Sequence, residues 1–308
     1  MNDIIKMQAA EDFSRARGYA ILSRIAHLIN PDKERMMSLN DVKEILRPKG
    51  EVYRGMQVVP VKLIVGSEGR YSDFNRYFQP KSDFLRSRWQ RVDEAALEHV
   101  TLPPIALYET GGVYFVRDGN HRVSVARMQG VEMIDAEVIS LTSEITIDPD
   151  MTEDDIKKKV AEYEKDIFYL KTNFGKITEY YDLDFSVPGR YDDIYNHILV
   201  HKYYIDQNQP EESTFHDALL SWFNNVFMPI IEVIREEKIL SHFPGRTESD
   251  LYVFIVKRWD YLKKEEGEGI TPLDAAKDFS EKYGEKKNWF FITSPAAPEE
   301  KLDNPYDK

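Results

Sequence analysis

The sequence predicts two domains of different class: an α/β (α+β) domain over residues 51–145 with helices over 1–50 before it, and a mainly α-helical domain over 146–284, followed by a flexible tail over 285–308. Three observations carry this expectation. A chain of 308 residues corresponds to about two domains. The charge is uneven: residues 1–145 hold 20 Lys+Arg and 20 Asp+Glu, whereas 146–308 hold 21 and 34, so the whole net charge of −13 falls in the second part. The hydrophobic pattern also changes, from short β-branched runs bounded by glycine before Pro149 to long stripes at helical spacing after it.

The elements follow in order. Phe13, Ala16, Ala20, Ile21, Ile25, Leu28 and Ile29 recur at helical spacing until Asn30-Pro31 stops the run. Residues 38–47 predict a shorter helix capped by Ser38, with Val42, Ile45 and Leu46 on one face. Val58 to Val65 is β-branched, ends at Gly66 and predicts one strand. A polar and aromatic loop covers 66–83, and 85–99 returns to helix. Two apolar runs, 105–108 and 113–116, flank Gly111-Gly112 and predict a β-hairpin. A helix over 123–129 and a strand over 131–140 complete the domain. In the second domain, Thr152 with Asp155, Thr247 with Asp250, and Thr271-Pro272 mark helix starts. Ile156, Val160, Tyr163, Ile167 and Leu170 form one stripe, and 214–240 is helical with a break or kink at Pro229.

Composition narrows the function classes. No apolar run approaches the ~18 residues of a membrane span. The N-terminal stretch meets Glu11 and Asp12 before any long apolar core and is unlike a secretory signal. The absence of cysteine removes disulfides, thiolate catalysis and Cys-based zinc sites, and the expectation is a cytoplasmic protein. A charge of −13 opposes wholesale coating of nucleic acid.

Chemistry concentrates in Asp118-Gly119-Asn120-His121-Arg122, between a predicted strand and a predicted helix. The first turn of a helix offers unpaired N–H groups and the positive end of the dipole, which suits an anion. Gly119 permits a sharp turn and close backbone approach, and His121 and Arg122 add donors suited to phosphate. Asp118 can orient His121, hold Mg²⁺ or act as a base. A structural turn with internally bonded His121 and Arg122 is the simpler alternative. The loop Gly66–Arg76 is the second constellation, with Glu68 and Asp73 as carboxylates and Arg70 and Arg76 as cations. It belongs to the one basic stretch, residues 62–91, with seven Lys+Arg against Glu68, Asp73 and Asp83. The alternative is a solvated loop with local ion pairs. His197 and His201, four apart, share a helix face and could ligate a metal, although two half-buried histidines are commoner than a site.

The stretch VYFVRDGNHRVSVARMQGVEMIDAEV, with the hairpin and the strand VVPVKLIV before it, resembles the ParB/sulfiredoxin-like superfamily over roughly residues 55–140. The resemblance implies a ParB/sulfiredoxin-like nucleotide-binding domain, with ATP or CTP and Mg²⁺ as cofactors, and it does not select the reaction. Sulfiredoxin chemistry is excluded because it requires a cysteine. By position after the first strand, Glu68 matches the base of kinase-like members, with Asp73 as its rival. Asn120 stands where those members carry a histidine. The expectation is therefore a nucleotide or phosphate-binding protein with phosphates on Gly119, Asn120, His121, Arg122, Arg70 and Arg76, Asp118 on the metal, and Glu68, Asp73 or Asp118 handling protons in a hydrolysis or phosphoryl transfer. The alternatives are a DNA-associated ParB-like regulator, for which the second domain lacks a basic recognition helix, and a non-catalytic scaffold.

Overall fold

The computed structural model describes residues 2–207, 210–267 and 269–283; the tail expected over 285–308 lies outside them. The chain divides into two compact units, Met1–Ile156 and Lys157–Lys308.

The first unit runs α1 (Asn2–Ala26), β1 (Met37–Ser38), α2 (Leu39–Leu46), β2 (Glu51–Pro60), β3 (Ile64–Ser67), α3 (Arg86–Leu97), β4 (Ile105–Thr110), β5 (Val113–Asp118), α4 (Asn120–Met128) and β6 (Met133–Leu141). Its six strands form one mixed sheet in the order β1-β3-β5-β4-β6-β2. The N-terminal elements expected as a separate segment are integral to this unit. Strand β1 pairs parallel with β3, and Phe13 of α1 meets the ring of Trp89 of α3 edge-on at 5.6 Å. Trp89 is fully buried and donates from Nε1 to Ser124 Oγ at 2.8 Å, which ties α3 to α4. The core joins Phe13, Trp89, Ile64, Leu107, Val116 and Val123.

One strand expectation is corrected. The run Val58–Val65 is two strands. A 3-10 turn at Val61–Leu63 separates them, and β2 pairs antiparallel with β6 at one edge of the sheet while β3 pairs with β5 on the other side. The bonding to β6 runs on to Val61, whose N–H donates to Glu132 O at 2.9 Å, before the turn carries the chain away. Two features then place the site. Strands β3 and β5 are parallel with Ser67 opposite Val116, so the loop after β3 and the turn after β5 leave the sheet at the same end. Gly66 permits the close packing of that end, since a Cβ there would stand 2.4 Å from Met37 O and 2.6 Å from the Phe115 ring.

Helix α5 (Glu153–Thr172) leads from the first unit into the second, which is helical: α6 (Phe174–Ile177), α7 (Arg190–Asp206), α8 (Phe215–Trp222), α9 (Met228–Glu236), α10 (Glu248–Glu266) and α11 (Pro272–Tyr283). The caps read from sequence are present. Thr247 and Asp250 form a capping box, and Asp155 and Asp274 bond back to Thr152 and Thr271. Between α8 and α9 the chain widens into a π-helical turn at Phe223–Phe227, just before Pro229. Trp222, Phe227 and Tyr252 pack at the centre of this unit. His197 Nδ1 faces Tyr252 OH at 3.3 Å and His201 Nε2 faces Ser221 Oγ at 3.0 Å, so each histidine has a protein partner. No helix among the described residues is long and apolar enough to cross a membrane.

Candidate functional site

The turn that ends β5 builds the site. Gly119 is the N-cap of α4 with φ +110°, a conformation that strains any residue with a side chain. A Cβ there would also lie 2.5 Å from Ile105 Cγ2, so glycine is required on two counts. No side chain caps the helix, and its first backbone bond runs from Val123 N to Gly119 O at 3.0 Å. The N–H groups of the first turn therefore have no acceptor within the helix.

A cleft of about 500 Å³ opens over this helix start. Asn120 and His121 line it and are both more than nine-tenths buried. Asn120 Oδ1 and His121 Nδ1 have no hydrogen-bond partner. Such groups are rare, because a buried polar atom left unmatched costs about 1–3 kcal/mol. His121 also stands edge-on to Phe74, with ring centroids 5.3 Å apart. Burial first, and then the charges of Arg88 and Arg70, push its imidazole down to about 4, against a smaller opposing effect of Asp73. His121 is neutral near pH 7.

Arg70, Arg88 and Arg117 rim the same cleft, and all three are exposed. Arg70 pairs with Asp73 at 2.9 Å. Arg88 and Arg117 have no ion-pair partner among the described residues. Arg117, the last residue before the motif, was not singled out in the sequence. Alternation along β5 was the available signal, because Arg117 breaks the apolar run Val113–Val116 just before the turn. Arg88 was counted only within the basic stretch. Its one-sided placement over the helix start depends on how α3 packs.

The structure gives other expected site residues different work. Arg122 lines the cleft, but its guanidinium donates to Pro103 O at 2.5 Å and Pro104 O at 2.8 Å and pairs with the Asp118 carboxylate. It fastens the segment before β4 to the turn. Glu68 is not among the residues lining the cleft. Arg76 donates to Pro149 O at 2.7 Å and Met151 O at 2.8 Å and lines a different cleft. Sequence proximity suggested one cluster of Arg70 and Arg76. The tight turn through Asp73, Asn75 and Phe78 (Asn75 Oδ1 accepting from Gln79 N at 2.9 Å) sends the two arginines to separate places.

Asp118 is the one carboxylate lining the cleft, and Arg122 holds it. Among the described residues no group of three His, Asp or Glu side chains is arranged to hold a metal. Positive charge at this site comes from arginine.

No family model and no curated protein matches this chain. Two solved structures do: the C2221 form of a Pnob8-like ParB-N domain, 12% identical, covering 82% of this chain and 97% of that one with a TM-score of 0.20, and a pNOB8-like ParB N-domain, 10% identical, covering 82% and 91% with a TM-score of 0.21. Likeness at that level fixes neither fold nor activity, so the functional reading rests on the geometry of the cleft.

Proposed function

We propose that the first unit binds a phosphate-bearing small molecule, a nucleotide such as ATP or CTP, at the N-terminus of α4. The observation that carries this reading is the pair of buried, unpartnered polar atoms, Asn120 Oδ1 and His121 Nδ1, on two residues that line a cleft rimmed by Arg70, Arg88 and Arg117. Free N–H groups of the helix start and guanidinium donors suit phosphate oxygens. Asn120 Oδ1 is an acceptor and repels phosphate, so it calls for a hydroxyl or amino group on the same ligand. A molecule with both kinds of group is an organic phosphate. The motif resemblance at Asp118–Arg122 points the same way. The geometry supports binding better than turnover, because Asp73 and Asp118 are each held by an arginine and Glu68 stands off the cleft. If a metal enters, the ligand's own phosphates carry it.

Calorimetric titration of ATP, CTP and inorganic phosphate tests the reading. A nucleotide binds the wild type more tightly than phosphate does. Arg88→Ala and Arg117→Ala, both exposed and unpaired, each weaken it about tenfold or more, the worth of one charge-assisted contact. No binding of any nucleotide to the wild type, or unchanged affinity in both variants, removes the proposal.

A further inference from the structure

A second cleft of about 1000 Å³ lies at the other end of α4, against Arg127 and Met128. Its volume is at the top of the ~300–1,000 Å³ range of small-molecule sites. Three arginines line it, Arg15, Arg76 and Arg127, of which Arg15 pairs with Asp12. Arg127 Nη2 donates to Ile64 O at 2.6 Å and Val61 O at 3.3 Å, and its guanidinium lies 5.0 Å from the Phe78 ring centroid. Arg76 donates to the carbonyls of Pro149 and Met151, and Arg127 Nη1 approaches Arg76 O at 3.5 Å.

Every one of these acceptors is a carbonyl. Neither the Arg76 nor the Arg127 guanidinium has a carboxylate partner among the described residues, and Arg127 Nε is buried with no acceptor at all. Elsewhere in the same unit Arg15, Arg17, Arg35, Arg70, Arg86 and Arg122 each pair with an aspartate. Two neighbouring guanidiniums that meet only carbonyl dipoles leave positive charge uncompensated in a partly desolvated place, where an unmatched charge is costly. Burial and the Arg76 charge together push the Arg127 guanidinium down to about 10, the effect expected of such crowding. Exposed Lys62 adds a further cation, while Glu132 and Asp150, also exposed, pair with neither arginine. The walls include Tyr19, Tyr77, Val131 and Met133, all substantially exposed.

We propose that this cleft is a second ligand site, separate from the one at the α4 N-terminus, that takes a small organic anion: an acidic group seated on Arg76 and Arg127 and an aromatic or aliphatic body against the tyrosines and Val131. The inference stands independently of nucleotide binding. The folded full-length chain is titrated with the aromatic sulfonate 8-anilinonaphthalene-1-sulfonate by calorimetry and fluorescence. Saturable binding at one site per chain is expected, about tenfold weaker or more in Arg76→Gln, as for loss of one charge-assisted contact. Val131→Trp, at an exposed position, fills the cleft while every charge stays, and it abolishes binding even if Arg76→Gln folds poorly. Arg117→Ala leaves the affinity unchanged, and inorganic phosphate does not displace the dye. Absence of saturable binding, binding that survives both cleft variants, or loss in Arg117→Ala overturns the proposal.

Discussion

His121 and Asp93 are two buried titratable side chains of the first unit whose ionisation has opposite consequences for stability. His121 sits at about 4 rather than the ordinary 6.5 because burial and nearby arginines disfavour its charge. Between those values the unfolded chain takes up a proton that the native state refuses, so His121 makes stability fall as pH drops from 6.5 to about 4. Asp93, fully buried on α3, is raised to about 6 from 3.8, mainly by burial, while a bond from Gln129 Nε2 at 2.8 Å opposes the shift. There the native state keeps a proton that the unfolded chain has lost, so stability falls as pH rises from 3.8 to about 6 and stays lower above it. The two slopes oppose each other in the wild type. Asp93→Asn keeps an oxygen for Gln129 and removes one of them. We expect it to raise stability near neutral pH by about 1–2 kcal/mol and to steepen the loss on acidification. Urea unfolding across the acidic range checks this; a variant no more stable at neutral pH, with an unchanged slope, would contradict the assignment.

At the scale of elements, the site depends on where β5 stops and α4 begins. The sequence places the helix from Val123, whereas α4 starts at Asn120, so Asn120 and His121 are helical residues buried against the core rather than loop residues reaching outward. Gly119 makes that early start possible by turning the chain through positive φ against Ile105. Gly119→Ala should therefore destabilise the protein by about 1–3 kcal/mol, as expected for overpacking at a close contact, with strained φ adding to the cost. It should also weaken ligand binding, because the helix start shifts. Thermal melts with and without nucleotide measure both effects, and a variant as stable as wild type would show that the turn tolerates a side chain. Helix α1 shows the opposite outcome of a correct periodicity. Phe13, Ala16 and Ala20 are buried as their spacing implies, but Ile21 and Ile25 are exposed, and the helix ends at Ala26 rather than at Asn30-Pro31, leaving Leu28 and Ile29 exposed beyond it. Apolar spacing forecasts a helix and its stripe; whether the stripe is covered depends on how far the partner elements extend.

Across the whole molecule, both units are net acidic: residues 1–156 hold 20 Lys+Arg and 25 Asp+Glu, and 157–308 hold 21 and 29. Within the first unit, four arginines without a carboxylate partner among the described residues stand at the two ends of α4, Arg88 and Arg117 at one and Arg76 and Arg127 at the other. Such local clusters suit small anions, whereas duplex DNA needs an extended basic face that releases many counterions. We expect no sub-micromolar, salt-sensitive binding to duplex DNA at physiological ionic strength, measured by fluorescence anisotropy. Tight binding with a steep salt dependence would favour the DNA-associated alternative.

The sequence by itself determined the elements and their punctuation: the helix caps at Thr152, Thr247 and Thr271, the hairpin about Gly111-Gly112, the break near Pro229 and the glycine turn at Asp118–Arg122. These are local effects, fixed by a few neighbouring residues, and local rules reach them. It also brought Arg70 to the turn correctly, because parallel β3 and β5 end on the same side. Only the tertiary structure decided the partners of each charge. Arg122 turned inward to two proline carbonyls and Asp118, Arg76 left for the far end of α4, and Arg88 and Arg117 came to the cleft from α3 and β5. A guanidinium on its long stem finds whichever acceptors folding places within reach. Apart from Asp118, those acceptors are backbone carbonyls distant in sequence, and carbonyls are present at every residue, so composition and spacing carry no record of which one is met.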